Sequence, residues 1–222
     1  MKPFIKVTMP LLTLSAAFSS HAAETIPPTA VADLYIKTLV NHDDQAIRQL
    51  NDYLRPDRLR SGRSADYANA AELKEADKAF PGEIAEMAQA LFPEPLREGL
   101  RSPLESLMTT VQQARQKSEC KSLSSGEPEK DSNGILTIQV TFECVLVKTN
   151  ETWAEGVQRL AKSNCSASQC SSELKKLQDA YSAPVSFTYQ GTFSLSKVPQ
   201  DKDKAWRNDF ARETFDEMLS QF

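Results

Sequence analysis

The side chains best equipped for chemistry in this 222-residue chain are a cluster of arginines, one histidine and four cysteines. Arg55-Pro56-Asp57-Arg58-Leu59-Arg60-Ser61-Gly62-Arg63 places four guanidinium groups within nine residues. These planar groups, each with five donors, match carboxylates and phosphates in bidentate fashion, so a loop carrying them suits an acidic protein or a small anionic ligand. The same groups can pair with Glu and Asp of neighbouring helices, and that is the weightier reading of such a stretch. Arg55, Arg58, Arg60 and Arg63 are nonetheless the binding residues that the sequence nominates. Tyr53 and Tyr67 flank them without a repeating aromatic platform, which argues against single-stranded nucleic acid.

His42 stands beside Asp43 and Asp44, and a histidine held by a carboxylate is the usual form of a general base. No nucleophile lies near it in sequence, so it reads as a solvent-facing turn residue. Asp43/Asp44 and Glu213/Glu217 are paired acids, which in charge-rich helical sequence serve as caps and solvated faces. No Walker loop, dinucleotide glycine pattern, H-E-x-x-H, G-x-S-x-G or EF-hand loop occurs, and only 7 Gly stand against 12 Pro. No catalytic residue and no cofactor is expected.

How the cysteines are read depends on the compartment. Lys2 and Lys6, a mostly apolar run from Val7 to Ser20, and small residues around Ala22 form a bacterial-type export signal over residues 1–22. The charge-free run from Val7 to Ala23 holds 17 residues and includes Pro10, short of the ~20 that span a bilayer. No other segment is apolar enough to cross, so no stable membrane insertion is expected. Cleavage after Ala22 removes two lysines, leaving 24 basic against 30 acidic side chains and a formal charge of −6. That mixture of charges carries no footprint for DNA or RNA. A periplasmic or secreted location is expected. In an oxidising space four cysteines default to two disulfides. Of three possible pairings, Cys120–Cys144 with Cys165–Cys170 is favoured. Only His42 remains after cleavage to join a metal site, and the cysteine spacing is irregular for zinc, so no metal is expected.

These residues must be positioned by elements legible in the periodicity. Val31, Leu34, Tyr35, Thr38 and Leu39 share a helical face; Ile47, Leu50, Tyr53 and Leu54 repeat it until Pro56, where the second helix is expected to end. A polar stretch follows to Tyr67, then a helix over 68–79, a break at Pro81-Gly82, and another helix through Leu91 that Pro93 and Pro95 close. Ser102-Pro103-Leu104-Glu105 reads as a fresh helix start. Beyond Lys117 the period becomes two. Leu136 to Leu146 alternate as a strand, with Asn133-Gly134 as the turn before it and Cys120 on its hairpin partner. Two short helices over 151–182 interrupt the strands. Alternation resumes from Val185 to Leu195, with Gly191 marking a bend or bulge. A last helix carries Phe210, Thr214, Met218 and Phe222. Trp153 and Trp206 read as partial core anchors.

The opening helix pair Val31 to Leu54, and the run Gly191-Thr192-Phe193-Ser194-Leu195-Ser196-Lys197-Val198 followed by Ala205-Trp206-Arg207, resemble the cone-shaped α+β superfamily described as NTF2-like or cystatin-like. That resemblance implies a curved antiparallel sheet with helices packed on it and a pocket between the two. It departs in the helical stretch from Ala68 to Lys117, the insert over 151–182, and a helix after Trp206, and no catalytic residue is carried over. The expected architecture is a single α+β domain over 23–222: a helical part 29–117, a sheet part 118–207 with the helical insert, and a C-terminal helix 208–222.

Export, disulfides and missing catalytic motifs together favour a non-catalytic binding or protein-interaction module, with an immunity-type protein that neutralises a periplasmic toxin as one variant. An NTF2-like enzyme is the other class, and it requires His42, Asp52 or Tyr53 to point into a concave pocket. The oligomeric state is not encoded in these patterns.

Overall fold

The computed structural model describes residues 26–147, 149–182, 186–198 and 205–219; the expected signal over 1–22, Val185 and Phe222 lie outside the described residues. In chain order the elements are helices α1 (Pro28–Leu39), α2 (Asp44–Arg60), α3 (Ala70–Gln89) and α4 (Glu94–Gln116), and strands β1 (Glu119–Ser125), β2 (Glu129–Lys130) and β3 (Leu136–Val147). Helices α5 (Trp153–Lys162) and α6 (Ala167–Ser182), strand β4 (Ser186–Lys197) and helix α7 (Ala211–Leu219) complete the α+β fold.

Of the two alternating sequences, β3 is the central strand of an antiparallel sheet and β4 flanks it. β3 pairs with β4 from Leu136↔Lys197 to Val147↔Ser186, and with β1 and β2 along its other edge. Because side chains alternate across a strand, Ile138, Val140, Phe142, Cys144 and Leu146 share one buried face with Phe193 and Leu195. Asp131 shapes the turn before β3, its Oδ1 accepting the amides of Asn133 and Ile135, while Gly134 adopts φ 82°. Cys120 and Cys144 lie directly opposite in this hairpin, Cα atoms 4.0 Å apart, and are bridged on the core side. No bulge falls at Gly191: pairing runs regularly through Phe142↔Gly191. The glycine instead leaves room for the Phe142 ring, whose Cζ would lie 2.8 Å from an added Cβ. The bulge falls in β1, between Ser122 and Ser124.

Helices α1, α2 and α7 cover the buried face. Tyr35, Phe193 and Phe215 form a continuous ring column, with centroids 5.4 Å apart for Tyr35–Phe193 and 5.3 Å for Phe193–Phe215. The space where the NTF2-like resemblance implies a pocket is thus filled by side chains. The buried face of α7 is Ala211 and Phe215, whereas Phe210 is 72% exposed; the expected stripe was rotated by one residue. Beyond β4, Arg207 makes an isolated antiparallel bridge to Ser196.

A second core is wholly helical. Leu104, Leu107, Met108 and Val111 of α4 pack with Ala85 and Ala88 of α3, Val157 and Leu160 of α5, and Leu174 and Leu177 of α6. The insert therefore completes a helical bundle, clipped by the Cys165–Cys170 disulfide between α5 and α6.

Prolines misled the helix boundaries. α2 runs through Pro56 to Arg60, α3 runs unbroken through Pro81 and Gly82, and α4 starts at Glu94, eight residues before the expected Ser102 cap. Pro93 and Pro95 open α4; they do not close its predecessor. An interior proline costs about 3 kcal/mol. Leu100 and Leu104, fully buried on either side of Pro103, each return roughly 1.5–3 kcal/mol, so a continuous apolar stripe outweighs the lost hydrogen bond. Glu105 pairs with Arg101 and makes no cap.

The disulfides set the first expected outcome. Closing a loop of about 25 residues contributes roughly 3.5 kcal/mol and a loop of about six roughly 2 kcal/mol on chain-entropy grounds. Urea unfolding of Cys120→Ala/Cys144→Ala should show the larger loss and Cys165→Ala/Cys170→Ala the smaller; the reverse order contradicts this assignment.

Candidate functional site

The arginine-rich stretch is not a loop. Arg55, Arg58 and Arg60 lie in the last turns of α2, and Arg63 follows a tight turn in which Gly62 has φ 68°. All four are engaged within the chain. Arg55 pairs with Asp52 and Asp66 at 3.0 Å each, and Arg58 donates to the Ser64 carbonyl and hydroxyl at 2.8 Å while lying over the Tyr67 ring. Arg60 lies 3.9 Å from Asp57, and Arg63 meets Asp209 at 2.6 Å. Arg207 reaches the buried Asp57 at 3.1 Å, so this group of charges fastens the end of α2 to the entry of α7. The side chains remain about half exposed.

A different cluster is assembled at the turn between α1 and α2. Asn41 donates through Nδ2 to the Gln116 and Ser118 carbonyls, at 3.0 and 2.9 Å, answering acceptors that the end of α4 leaves unsatisfied. The chain then reverses within one residue, and His42 takes φ 51°, an uncommon left-handed conformation for a residue bearing a Cβ. Asp43 caps α2 by accepting the Ala46 amide. His42 is consequently turned inward: its side chain is 16% exposed, with Nδ1 2.9 Å from Asp77 Oδ2 on α3. This overturns the solvent-facing reading, and the carboxylate that holds the ring is neither Asp43 nor Asp44. Gln112 of α4 donates to Asp77 Oδ1 at 3.1 Å and to the Asp77 carbonyl at 2.8 Å. Donation from Nδ1 to the carboxylate leaves Nε2 as the basic nitrogen of neutral His42.

Arg115, one turn beyond Gln112, completes the floor. Of its five donors, the hydrogen bond it makes among the described residues is to the Leu39 carbonyl, at 3.4 Å. Burial holds its guanidinium below the usual value, opposed by the fields of Asp216 and Asp77. Opposite α3, helix α7 contributes Arg212 and Asp216, while Leu39, Leu73, Ala76, Phe80 and Phe215 form apolar walls. Together these groups enclose a cleft of about 280 Å³. A neighbouring concavity of about 440 Å³ shares Leu39, Leu73, Ala76 and Arg212 and extends toward Tyr67 and Glu72. The far end of α3 is fixed by Asn51, whose side chain bonds the backbone of Tyr67 and Ala68, and by the Asn69 cap.

Chemically the cleft offers an oriented imidazole, two guanidinium groups and one accessible carboxylate over an apolar floor. No serine, threonine or cysteine lines it among the described residues, so the His42–Asp77 pair stands without a partner nucleophile. Asp52 is 70% exposed and paired with Arg55, and the Tyr53 hydroxyl accepts the Trp206 amide. Glu213 and Glu217 lie on exposed positions of α7. Among the described residues no group of three or more His, Cys, Asp or Glu side chains is placed to hold a metal ion, and no helix is long and apolar enough to cross a membrane. Comparisons with protein-family models, curated proteins and solved structures find no match.

Two outcomes follow. Asp77→Ala leaves His42 without its acceptor and Gln112 with the backbone carbonyl of residue 77 alone, and should lower stability by about 1–3 kcal/mol in urea unfolding, whereas Asp52→Ala should leave the midpoint unchanged; equal effects contradict a special role for Asp77. At the arginine clamp, the hydrogen bond from Arg63 holds the Asp209 carboxyl below its usual value, against burial that raises it. A carboxyl lowered by folding stabilises above its ordinary titration and ceases to do so as pH falls through the folded value. The small stability difference between the chain and Arg63→Ala should therefore be present at pH 7 and shrink below pH ~4; a difference that grows in acid contradicts it.

Proposed function

We propose that this chain is an exported binding module, without catalysis of its own, that holds the anionic group of a ligand in the cleft between α3 and α7. The observation that carries this reading is Arg115: a largely buried guanidinium that faces the cleft with one long hydrogen bond and no carboxylate within ion-pair distance among the described residues. Its remaining guanidinium donors open onto the cleft, where a carboxylate or phosphate answers several at once with charge-assisted hydrogen bonds. The export signal and two disulfides support a periplasmic or secreted setting. The arginines of the α2 terminus, engaged by Asp52, Asp57, Asp66 and Asp209, support this role less well. An immunity-type role is a variant in which the anion belongs to a partner protein.

The His42–Asp77 pair favours a second reading, in which Nε2 takes a proton from a bound substrate. It requires the substrate itself, or a water, to supply the reacting group.

Titration calorimetry with short carboxylates decides between the two arginine groups. Arg115→Met, which keeps the apolar stem and removes the charge, should weaken binding about tenfold or more, while Arg58→Met leaves it unchanged. Loss of binding in Arg58→Met or Arg60→Met with Arg115→Met unaffected overturns the proposal.

A further inference from the structure

The charges of the cleft come in two signs, and both are left unmatched. Arg115 and Arg212 supply the positive pole. Asp77 is engaged by His42 and Gln112, which leaves Asp216 as the free carboxylate of the smaller cavity. Arg212 and Asp216 lie four residues apart on α7, a spacing at which opposite charges commonly meet. Among the described residues neither makes an ion pair, with each other or with any other group. Asp216 and Arg115 are nonetheless near enough for each to feel the other's field. The two poles therefore flank the same space without closing on each other.

This balance constrains the occupant. A simple anion at Arg115 would sit in the field of Asp216, and a simple cation at Asp216 in that of Arg115. A molecule carrying both charges a few bonds apart matches both poles. The same cavity is lined by Leu73, Ala76 and Phe80, which reward an apolar substituent, and about 280 Å³ falls at the small end of ligand cavities. Resting on the reading of the cleft as an anion-binding site, we infer that it recognises a free amino acid with an apolar side chain. The α-carboxylate meets Arg115, the α-ammonium meets Asp216, and the side chain lies against α3.

Calorimetry with L-leucine, 4-methylpentanoate, which lacks the ammonium, and 3-methylbutylamine, which lacks the carboxylate, tests this on the disulfide-bonded chain. Leucine should bind about tenfold or more tightly than either analogue. Asp216→Asn should abolish the preference for leucine over 4-methylpentanoate while retaining the latter, and Arg115→Met should weaken both. Circular dichroism of each variant checks that it is folded. If 4-methylpentanoate binds as tightly as leucine and Asp216→Asn changes nothing, the amino-acid inference fails while the anion site stands. If a leucine-terminated dipeptide binds and leucine does not, the occupant is a peptide end and the inference is overturned. If no carboxylate in the set binds in an Arg115-dependent way, both readings fail.

Discussion

Two hydrogen bonds from a single amide, Asn41 Nδ2 to the Gln116 and Ser118 carbonyls, hold the site in its arrangement. They seat the turn after α1, a helix of the sheet core, on the end of α4, a helix of the helical core. His42 and Arg115 lie within a few residues of that tie. It fixes the reversal in which His42 takes a left-handed conformation, aims the imidazole at Asp77, and brings the Leu39 carbonyl over Arg115. A side chain at one end of a helical hairpin thereby organises groups drawn from α1, α3 and α4.

The cleft is a product of how the two cores are divided. The sheet core draws α7 inward through Ala211 and Phe215, and the helical core draws α3 onto α4 through Ala85 and Ala88. Each helix packs against its own core, so they face each other across a gap instead of meeting. Leu73, Ala76 and Phe80 of α3 and Arg212 and Asp216 of α7 line that gap. The filled ring column of Tyr35, Phe193 and Phe215 beneath it means that this architecture places its concavity outside the sheet core, where the helical insert and the long α3–α4 pair alter the simple helices-on-sheet plan.

The sheet and the disulfides were legible because their signals are local and repetitive. Alternation from Leu136 to Leu146 and again to Leu195 set the faces, and the hairpin expected before Leu136 put Cys120 and Cys144 on partner strands, where the structure pairs them directly. Helix boundaries were less legible, because rules for proline describe one residue while a buried stripe such as Leu100-Leu104-Leu107-Met108-Val111 acts over several turns. The site was the least legible. His42 and Asp77 are 35 residues apart, Arg115 and Asp216 lie on other elements, and no spacing rule joins them. Arg115 lies in the last turn of a long helix, where no motif singles it out, and the conspicuous arginines of residues 55–63 are engaged within the chain by aspartates and by Ser64.

The claim at the centre is that Arg115 contacts the anion. The guanidinium resonances of the ¹⁵N-labelled chain report this most directly, since each arginine Nε–H gives its own signal. On addition of a saturating carboxylate ligand, the Arg115 signal should shift and gain protection from solvent exchange, while those of Arg55, Arg58, Arg60 and Arg63 stay in place. Shifts confined to those four arginines, with Arg115 unmoved, contradict it.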